Sequence, residues 1–200
     1  MNMEKKFELT DNFIINAFGV KLFQIKCTKS FKYAKEGDLG GYVEKDENLD
    51  QESDAWVSGN AEVSGDAWVS GNAEVSGNAR VSGYAEVAGN ARVSGNAEVS
   101  GNARVAGNAW VSGNARVYGY AEIDNNNKHC GFDCFGSANR HTHAYLTKEN
   151  KVEITCGCFR GSIEEFEKRV EETHSGTIYE KQYKAIIDVI KIKFGLTDLI

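Results

Sequence analysis

The sequence predicts a mainly β chain built around a parallel β-solenoid, and three observations predict it. A six-residue pattern, V-S-G-N-A-x, repeats with few changes between residues 56 and 123. Valine recurs at every sixth position from Val57 to Val117, and Ile123 continues the series. A glycine follows each of these valines two positions later, from Gly59 to Gly119. A fixed short period is typical of a solenoid, in which each repeat stacks on its neighbours.

Each repeat is expected to form a short strand followed by a corner. Alternate side chains of a strand point to opposite faces, so in A-x-V the alanine and valine fill the interior and x faces solvent. The S-G-N segment makes the corner, because glycine turns there without steric cost. Small alanines beside the corners allow a narrow tube.

The outward residues x decide how many repeats make one coil. Two repeats per coil would stack four consecutive glutamates in one column and four consecutive arginines in the other, about 4.8 Å apart, where like charges repel. Three repeats per coil give columns in which Glu and Arg alternate. Those columns are Trp56-Glu74-Arg92-Trp110, Glu62-Arg80-Glu98-Arg116 and Trp68-Glu86-Arg104-Glu122. The sequence therefore predicts a three-sided coil in which three repeats complete one turn.

V-S-G-N-A-x resembles the hexapeptide repeat of left-handed parallel β-helices, which place an aliphatic residue first and a small residue four positions later. The resemblance covers about residues 43–123 and begins at the degenerate positions Val43 and Leu49. It implies a left-handed winding. The twelve regular repeats would make four coils, roughly 19 Å of stacked strands at the usual spacing.

The chain is expected to divide into an N-terminal cap over residues 1–42, the solenoid over 43–123 and a C-terminal α+β domain over 124–200. Both open ends of a solenoid need a cover against aggregation. The first part contains an expected β-hairpin with its turn at residues 16–19. In the last part, residues 141–159 alternate like a second hairpin, and residues 162–165 form a capping box. That box opens a helix through about Thr173, and a second helix follows, with Gly195 just past its end.

Composition excludes several classes of function. The net charge of −6 argues against general nucleic-acid binding, which needs a basic surface. No apolar run approaches the roughly 18–20 residues that span a bilayer, and the start MNMEKKFELT lacks the apolar core of a signal peptide. We therefore expect no membrane association and a cytoplasmic location. There, the five cysteines are thiols or metal ligands before they are disulfides.

Four aromatic residues are expected along a single corner of the stacked coils. Tyr84 and Tyr120 occupy the slot usually held by Asn, Tyr118 replaces a Ser, and Trp68 lies beside them. Exposed aromatic residues on one edge indicate contact with a partner or, by preference, with another copy of the chain. The alternative is drift in a surface column.

Cysteines and histidines gather just after the repeat, and thiolates and imidazoles are the ligands that zinc prefers. The candidate zinc ligands are Cys130, Cys134, His141 and His143. Their spacing lacks the C-x2-C pairs of common zinc modules, so buried thiols and ordinary histidines are the alternative, and we expect no obligatory cofactor.

A second candidate site is a small pocket for an anion or a nucleotide. Its expected residues are Asn139, Arg140, Thr142, Cys156 and Cys158. Arg140, Asn139 and Thr142 offer phosphate donors, and the neighbouring Gly and Cys residues allow close approach. The alternative is that these residues form turns and core.

Residues 36–54 carry eight acidic residues and one lysine. Such a block either imitates the charge of DNA against a basic groove on another protein or forms a solvated loop before the repeat.

Two longer segments resemble uncharacterised bacteriophage and prophage proteins with such repeats. They are EGDLGGYVEKDENLDQESDAWVSGNA and the C-terminal stretch GSANRHTHAYLTKENKVEITCGCFRGSIEEFEKRVEETH. The resemblance implies a phage-encoded protein in the cytoplasm of an infected or lysogenic bacterium. The absence of ordered catalytic residues and the aromatic and acidic surfaces, together with this context, favour a non-enzymatic binding protein. We expect a homo-oligomer that inhibits a host defence, by gripping an effector such as a CRISPR nuclease or by sequestering a nucleotide signal.

Two other functions remain as alternatives. One is a structural or self-assembling element, such as a virion protein. The other is an acyltransferase, since many left-handed β-helix proteins are. In that family the catalytic His projects from the coils or from a loop that breaks them, whereas here no His precedes His129 and the repeats contain no looped insertion.

Overall fold

The fold is known from a computed structural model that describes residues 5–196. Its centre is a run of twelve two-residue strands, each ending in a valine or isoleucine. These strands are β4 (Trp56–Val57), β5 (Glu62–Val63), β6 (Trp68–Val69), β7 (Glu74–Val75), β8 (Arg80–Val81), β9 (Glu86–Val87), β10 (Arg92–Val93), β11 (Glu98–Val99), β12 (Arg104–Val105), β13 (Trp110–Val111), β14 (Arg116–Val117) and β15 (Glu122–Ile123).

Strands three repeats apart pair in parallel, as in Trp56 with Glu74 and Arg92 with Trp110. This confirms the predicted coil length, and the two-repeat coil is ruled out. The pairing produces three ladders. Ladder 1 contains β3 (Leu39–Val43), β5, β8, β11 and β14; ladder 2 contains β4, β7, β10 and β13; ladder 3 contains β6, β9, β12 and β15. The result is a parallel β-solenoid of about five turns.

The first turn is longer than the others. Val43 pairs with Val63 and Leu49 bridges to Val69, so this turn contains two more positions than each later one. The extra positions lie between Leu49 and Val57. Val43 and Leu49 are nonetheless buried in the core together with the valines of the later turns.

The core consists of the inward alanines and valines, and every one of them from Ala55 to Ile123 is buried. The outward residues are partly or fully exposed except Trp56, whose ring lies edge-on to Phe31 with centroids 5.4 Å apart. The expectation that every x residue faces solvent is therefore wrong at Trp56. The N-terminal segment covers it, through a contact between residues that are distant in sequence.

An N-terminal hairpin covers the first turn. Strands β1 (Phe7–Ile15) and β2 (Lys21–Cys27) pair antiparallel around the predicted turn, and β2 continues onto β3, which extends ladder 1 to seven strands. The buried Lys6 ammonium donates to the carbonyl oxygens of Asp50, Ser53 and Ala55, at 2.6, 2.7 and 2.8 Å. Burial lowers the pKa of Lys6 to about 8. These bonds satisfy carbonyl groups that no further coil covers.

The C-terminal part is a four-stranded antiparallel sheet with two helices. The strands are β16 (His129–Phe135), β17 (Arg140–Leu146), β18 (Val152–Cys156) and β19 (Phe159–Gly161), and the helices are α1 (Ile163–His174) and α2 (Ile178–Lys193). The predicted hairpin corresponds to β17 and β18. Limiting the sheet to that hairpin was wrong, because β16 and β19 complete it.

Both helices are as the sequence predicted. The backbone N–H of Ser162 donates to the Glu165 carboxylate at 2.8 Å, and the Glu165 N–H donates to the Ser162 hydroxyl at 3.3 Å. Helix α2 buries Tyr183, Ile186 and its neighbours against α1 and the sheet, which gives a second core. Within the described range, no helix is both long and apolar enough to cross a membrane.

Strand β17 closes the last coil. Tyr145 is fully buried within the solenoid core, and Ala121 forms an antiparallel bridge to Thr147. The Thr155 hydroxyl donates to the Arg116 carbonyl oxygen at 3.1 Å, where another coil would otherwise pair. Both ends of the solenoid are therefore covered by other parts of the same chain.

Candidate functional site

The corners of the solenoid differ in the residue that follows the corner glycine. In one set, stacking the coils gives Asp66, Tyr84, Asn102 and Tyr120, which we call the tyrosine column. Two further sets are asparagine columns. One contains Asn60, Asn78, Asn96 and Asn114, and the other contains Asn72, Asn90 and Asn108.

The asparagine columns satisfy their own amides. Each side chain donates to the next one along the column, with N–O distances between 2.9 and 3.2 Å. In the tyrosine column this ladder is broken, because the neighbours of Asn102 are tyrosines. The Asn102 side chain makes no hydrogen bond within residues 5–196.

The aromatic rings of this edge are open to solvent. Tyr84 is 68% exposed, Tyr120 65% and Trp68, at the start of ladder 3, 46%. Tyr84 and Tyr120 lie two coils apart, about 9.6 Å at the usual strand spacing. Between them is a hollow of about 340 Å³ over Asn102, whose outer wall includes Arg104 of ladder 3.

Tyr118 does not belong to this edge, and its placement there was wrong. Tyr118 is the first residue of the corner that also contains Tyr120, but its side chain turns toward ladder 1, where the hydroxyl donates to the Glu98 carboxylate at 2.6 Å. It is half-buried. Burial, together with this bond to a carboxylate, raises the pKa of Tyr118 to about 12.

The face of ladder 3 beside the tyrosine column carries alternating charge. Arg104 forms an ion pair with Glu86 at 3.3 Å. The Trp68 indole N–H and the Glu122 carboxylate have no hydrogen bond or ion pair in the described part of the chain. The face therefore offers one free donor and one free acceptor at its two ends.

A cleft adjoins this face where the C-terminal domain meets the solenoid. It measures about 500 Å³ and is lined by Tyr120, Lys148, Arg160 and Glu165, among others. Arg160 forms an ion pair with Glu153, whereas the Lys148 ammonium has no partner within residues 5–196. Tyr120 and Lys148 line both the cleft and the hollow over Asn102.

The four expected zinc ligands are not brought together. Cys130 packs against the core on the helix side of the sheet, and burial raises the pKa of its thiol to about 11. Cys134 is exposed at an irregularity within β16, where its φ is 63°. His143 is buried on the other side of the sheet, against the last coil. Among the described residues, no three His, Cys, Asp or Glu side chains are arranged to hold a metal ion.

Two of the histidines instead form a hydrogen-bonded chain against the last coil. His143 Nδ1 lies 3.2 Å from the Arg116 carbonyl oxygen, which only accepts, so this nitrogen carries the proton. His143 Nε2 then accepts from His129 Nδ1 at 3.0 Å. Burial lowers the pKa of His129 to about 4 and that of His143 to about 3. His141 is bonded separately, to Asp133 at 2.7 Å.

The expected anion pocket is also not assembled as one open site. Thr142 is fully buried, and its hydroxyl donates to Cys156 Sγ at 3.3 Å inside the second core. Asn139, Arg140 and Cys158 are exposed at the end of the same sheet. Two of the five expected residues therefore serve the core, as the alternative interpretation held.

The acidic segment 36–54 is largely part of the first turn. Asp46 forms an ion pair with Lys5 at 2.6 Å, and the Glu44 carboxylate accepts from the Gly65 N–H at 2.6 Å. Asn48 is buried and donates to the carbonyl oxygens of Gly65 and Ala67. These contacts fix the segment in the fold, so it is not a free loop.

Sequence analysis missed Asn102, Glu86, Arg104, Glu122 and Lys148 as parts of the edge. The first four were within reach of the three-repeat spacing, which places them beside the tyrosines. Lys148 comes from the C-terminal hairpin and has no signal in the repeat.

Comparison with known proteins supports the fold alone. A family model described as the YdcK beta solenoid repeat matches residues 97–113, which contain β11, β12 and β13. The match spans about one coil and supports a β-helix protein. No match was found among curated proteins.

Proposed function

We propose that this chain is a non-enzymatic binding protein that holds its partner against the tyrosine column and the face of ladder 3. The observation that carries the proposal is the exposure of Trp68, Tyr84 and Tyr120 on one edge, around a hollow that the fold leaves open. Clustered exposed aromatic residues mark interaction sites, since they bury a large area with little loss of side-chain freedom.

The same proposal includes a left-handed, three-sided winding. The three parallel ladders support three sides, and the resemblance to hexapeptide-repeat proteins supports the hand. In such a prism the tyrosine column lies along one edge. The partner would meet the two tyrosine rings and the hollow over Asn102 between them.

The positions of the histidines support binding over acyl transfer. His129 and His143 bond to each other and to the Arg116 carbonyl beneath the C-terminal sheet. His141 bonds to Asp133. No histidine lies on the coils, and the twelve strands from β4 to β15 follow one another without an inserted loop.

The partner on this edge is proposed to be a second copy of the chain, and the dimer is proposed to bind a host defence protein in the cytoplasm of a phage-infected bacterium. Covered ends support a soluble binder over an end-to-end scaffold, because Lys6 and Tyr145 close the two ends from within the chain. A protein target is preferred to a nucleotide signal, because Thr142 and Cys156 are buried.

The test is native mass spectrometry of tagged protein purified from infected cells. The wild-type chain is compared with Tyr84→Asn/Tyr120→Asn, which converts the tyrosine column to asparagine as at the other corners. Trp110→Ala is the matched control, since Trp110 is a similarly exposed ring on ladder 2.

We expect a retained host protein with the wild type and the control, and its loss in the double variant. Retention of that protein by all three chains would contradict the proposal. So would recovery of the protein mainly in purified virions, which supports a structural role, or turnover of acyl-CoA with an acceptor.

A further inference from the structure

The edge that carries the proposed function has a property that a target alone does not explain: its residues complement themselves when their order is reversed. We infer that the tyrosine column and the face of ladder 3 form a two-fold interface with a second copy whose coils run antiparallel. This inference rests on the proposed binding surface and specifies one of its partners.

The symmetry follows from the order of residues along the column. Place a two-fold axis in the interface, perpendicular to the solenoid axis and midway between the layers of Tyr84 and Asn102. This axis reverses the order of the column in the second copy. Asp66 then faces Tyr120, and Tyr84 faces Asn102. Each tyrosine meets a short polar side chain, never another tyrosine, and a C2 interface requires this reciprocity.

The hollow over Asn102 has the shape that this arrangement needs. It lies between Tyr84 and Tyr120, which are two layers or about 9.6 Å apart. In the dimer, Tyr84 of the second copy would enter it from the opposite direction and reach the free amide of Asn102. The rings of the two copies would alternate along the edge.

Charges on the adjoining face agree with the same axis. Glu86 of one copy faces Arg104 of the other, and Trp68 faces Glu122. The second pair joins the free indole N–H to the free carboxylate noted above. Lys148, also without a partner in the described chain, lies beside Tyr120 and therefore near Asp66 of the second copy.

A parallel arrangement of the two copies fails on the same residues. With the axis along the solenoid, each layer would meet its own counterpart, so Glu86 would face Glu86 and Arg104 would face Arg104. Like charges placed together across an interface cost several kcal/mol.

Charge order alone would also allow ladder 1, whose column Glu62-Arg80-Glu98-Arg116 reverses equally well. That face is not open to the same degree. Tyr118 lies over Glu98, and Phe18 of the N-terminal hairpin stands at its border. Arg116 is tied to the Gly157 carbonyl at 3.0 Å. Ladder 3 is the face without such covers.

Rung-specific disulfide trapping tests the register. In a Cys134→Ser/Cys158→Ser background, which removes the exposed thiols, a chain with Asp66→Cys is mixed with a chain with Tyr120→Cys and oxidised. Antiparallel pairing puts these positions opposite each other. Two copies of either single variant hold their cysteines about three layers apart, roughly 14 Å, beyond disulfide reach.

We expect a cross-linked dimer in the mixture and monomer in each single variant, with unchanged thermal melting. A mixture of Asn60→Cys and Asn114→Cys chains, the same separation in an asparagine column, should remain monomeric. Cross-linking of either single variant, or equal cross-linking in the asparagine column, would overturn the inference.

A charge exchange gives an independent measurement by analytical ultracentrifugation. Glu86→Arg and Arg104→Glu should each weaken dimer formation by about tenfold or more, and the double exchange should restore it, because the pairs re-form with opposite sign. A wild-type chain that sediments only as a monomer at high micromolar concentration would overturn the dimer. Loss of the host protein by Tyr84→Asn/Tyr120→Asn would still support the proposed function in that case.

Discussion

The asparagine columns and the tyrosine column show two uses of the same corner. In the asparagine columns, each amide is bonded to the next along the solenoid, so the column satisfies itself and offers little to a partner. In the tyrosine column, the amide of Asn102 and the rings beside it have no such bond within the described chain and face outward. The comparison teaches that tyrosine at two of these positions is enough to interrupt an asparagine ladder and to leave its polar groups and rings open to solvent.

The backbone of the two kinds of corner is the same. Gly83 and Gly101, which precede residues of the tyrosine column, have φ of 70° and 72°. Gly77 and Gly95, which precede residues of an asparagine column, both have φ of 69°. The difference in chemistry therefore lies in side chains. It should appear in association far more than in folding.

The largest expected effect on stability comes from pH, and it should leave this comparison unchanged. The folded-state pKa values of His129 and His143, about 4 and about 3, lie below the ordinary 6.5 of the unfolded chain. The folded protein therefore binds fewer protons. Its stability is complete above about pH 6.5 and should fall by on the order of 3 kcal/mol between pH 7 and 5.

Urea unfolding at a series of pH values measures this fall. His143→Gln keeps a donor toward Arg116 and an acceptor toward His129 but does not titrate. It should therefore reduce the dependence of the unfolding free energy on pH. Asn and Tyr do not titrate in this range, and the difference between column variants should be constant. An unchanged pH dependence of the unfolding free energy in His143→Gln would contradict its assignment to His129 and His143.

Glycine substitutions test whether the corners are equivalent. A methyl group at Gly95 or Gly101 would lie 3.0 Å from the backbone nitrogen of the glycine in the next layer, whereas Gly113 has open space and a similar φ. Gly113→Ala should cost about 1–2 kcal/mol for the left-handed conformation alone. Gly95→Ala and Gly101→Ala should cost about 1 kcal/mol more and should agree with each other. A clear difference between them in urea unfolding would mean that the two backbones are not equivalent.

Much of this architecture could be predicted because a repeat multiplies each local preference. The sign of the outward charges selected the three-repeat coil, and the glycine period gave the corners. The hairpin turn, the capping box at Ser162 and the apolar face of α2 are also local signals. Each depends on neighbours close in sequence.

The features that could not be predicted depend on contacts distant in sequence. Phe31 covers Trp56, and Tyr145 fills the last coil of the solenoid, although nothing in the repeat indicates either contact. Tyr118 was predicted to join the exposed rings of the corner, but the first residue of a corner can turn to either side, and the Tyr118 side chain turns toward Glu98 of ladder 1. The four expected zinc ligands are not brought together, because neighbouring positions along paired strands point to opposite faces and so separate Cys130 from His143.

The smallest effect gives the sharpest form of the comparison. Asn96 is bonded to Asn78 and Asn114 in its column, at 3.2 and 3.1 Å, so Asn96→Ala removes two side-chain hydrogen bonds. It should cost about 1 kcal/mol of stability, since exposed amide bonds contribute little each. Asn102→Ala removes no such bond and should leave stability unchanged while it weakens self-association. Urea unfolding and sedimentation of the two variants measure both quantities. An Asn102→Ala chain that is less stable than Asn96→Ala would show that the tyrosine column is held by contacts within the chain. An Asn102→Ala chain that associates as well as the wild type would contradict a role for this amide in self-association.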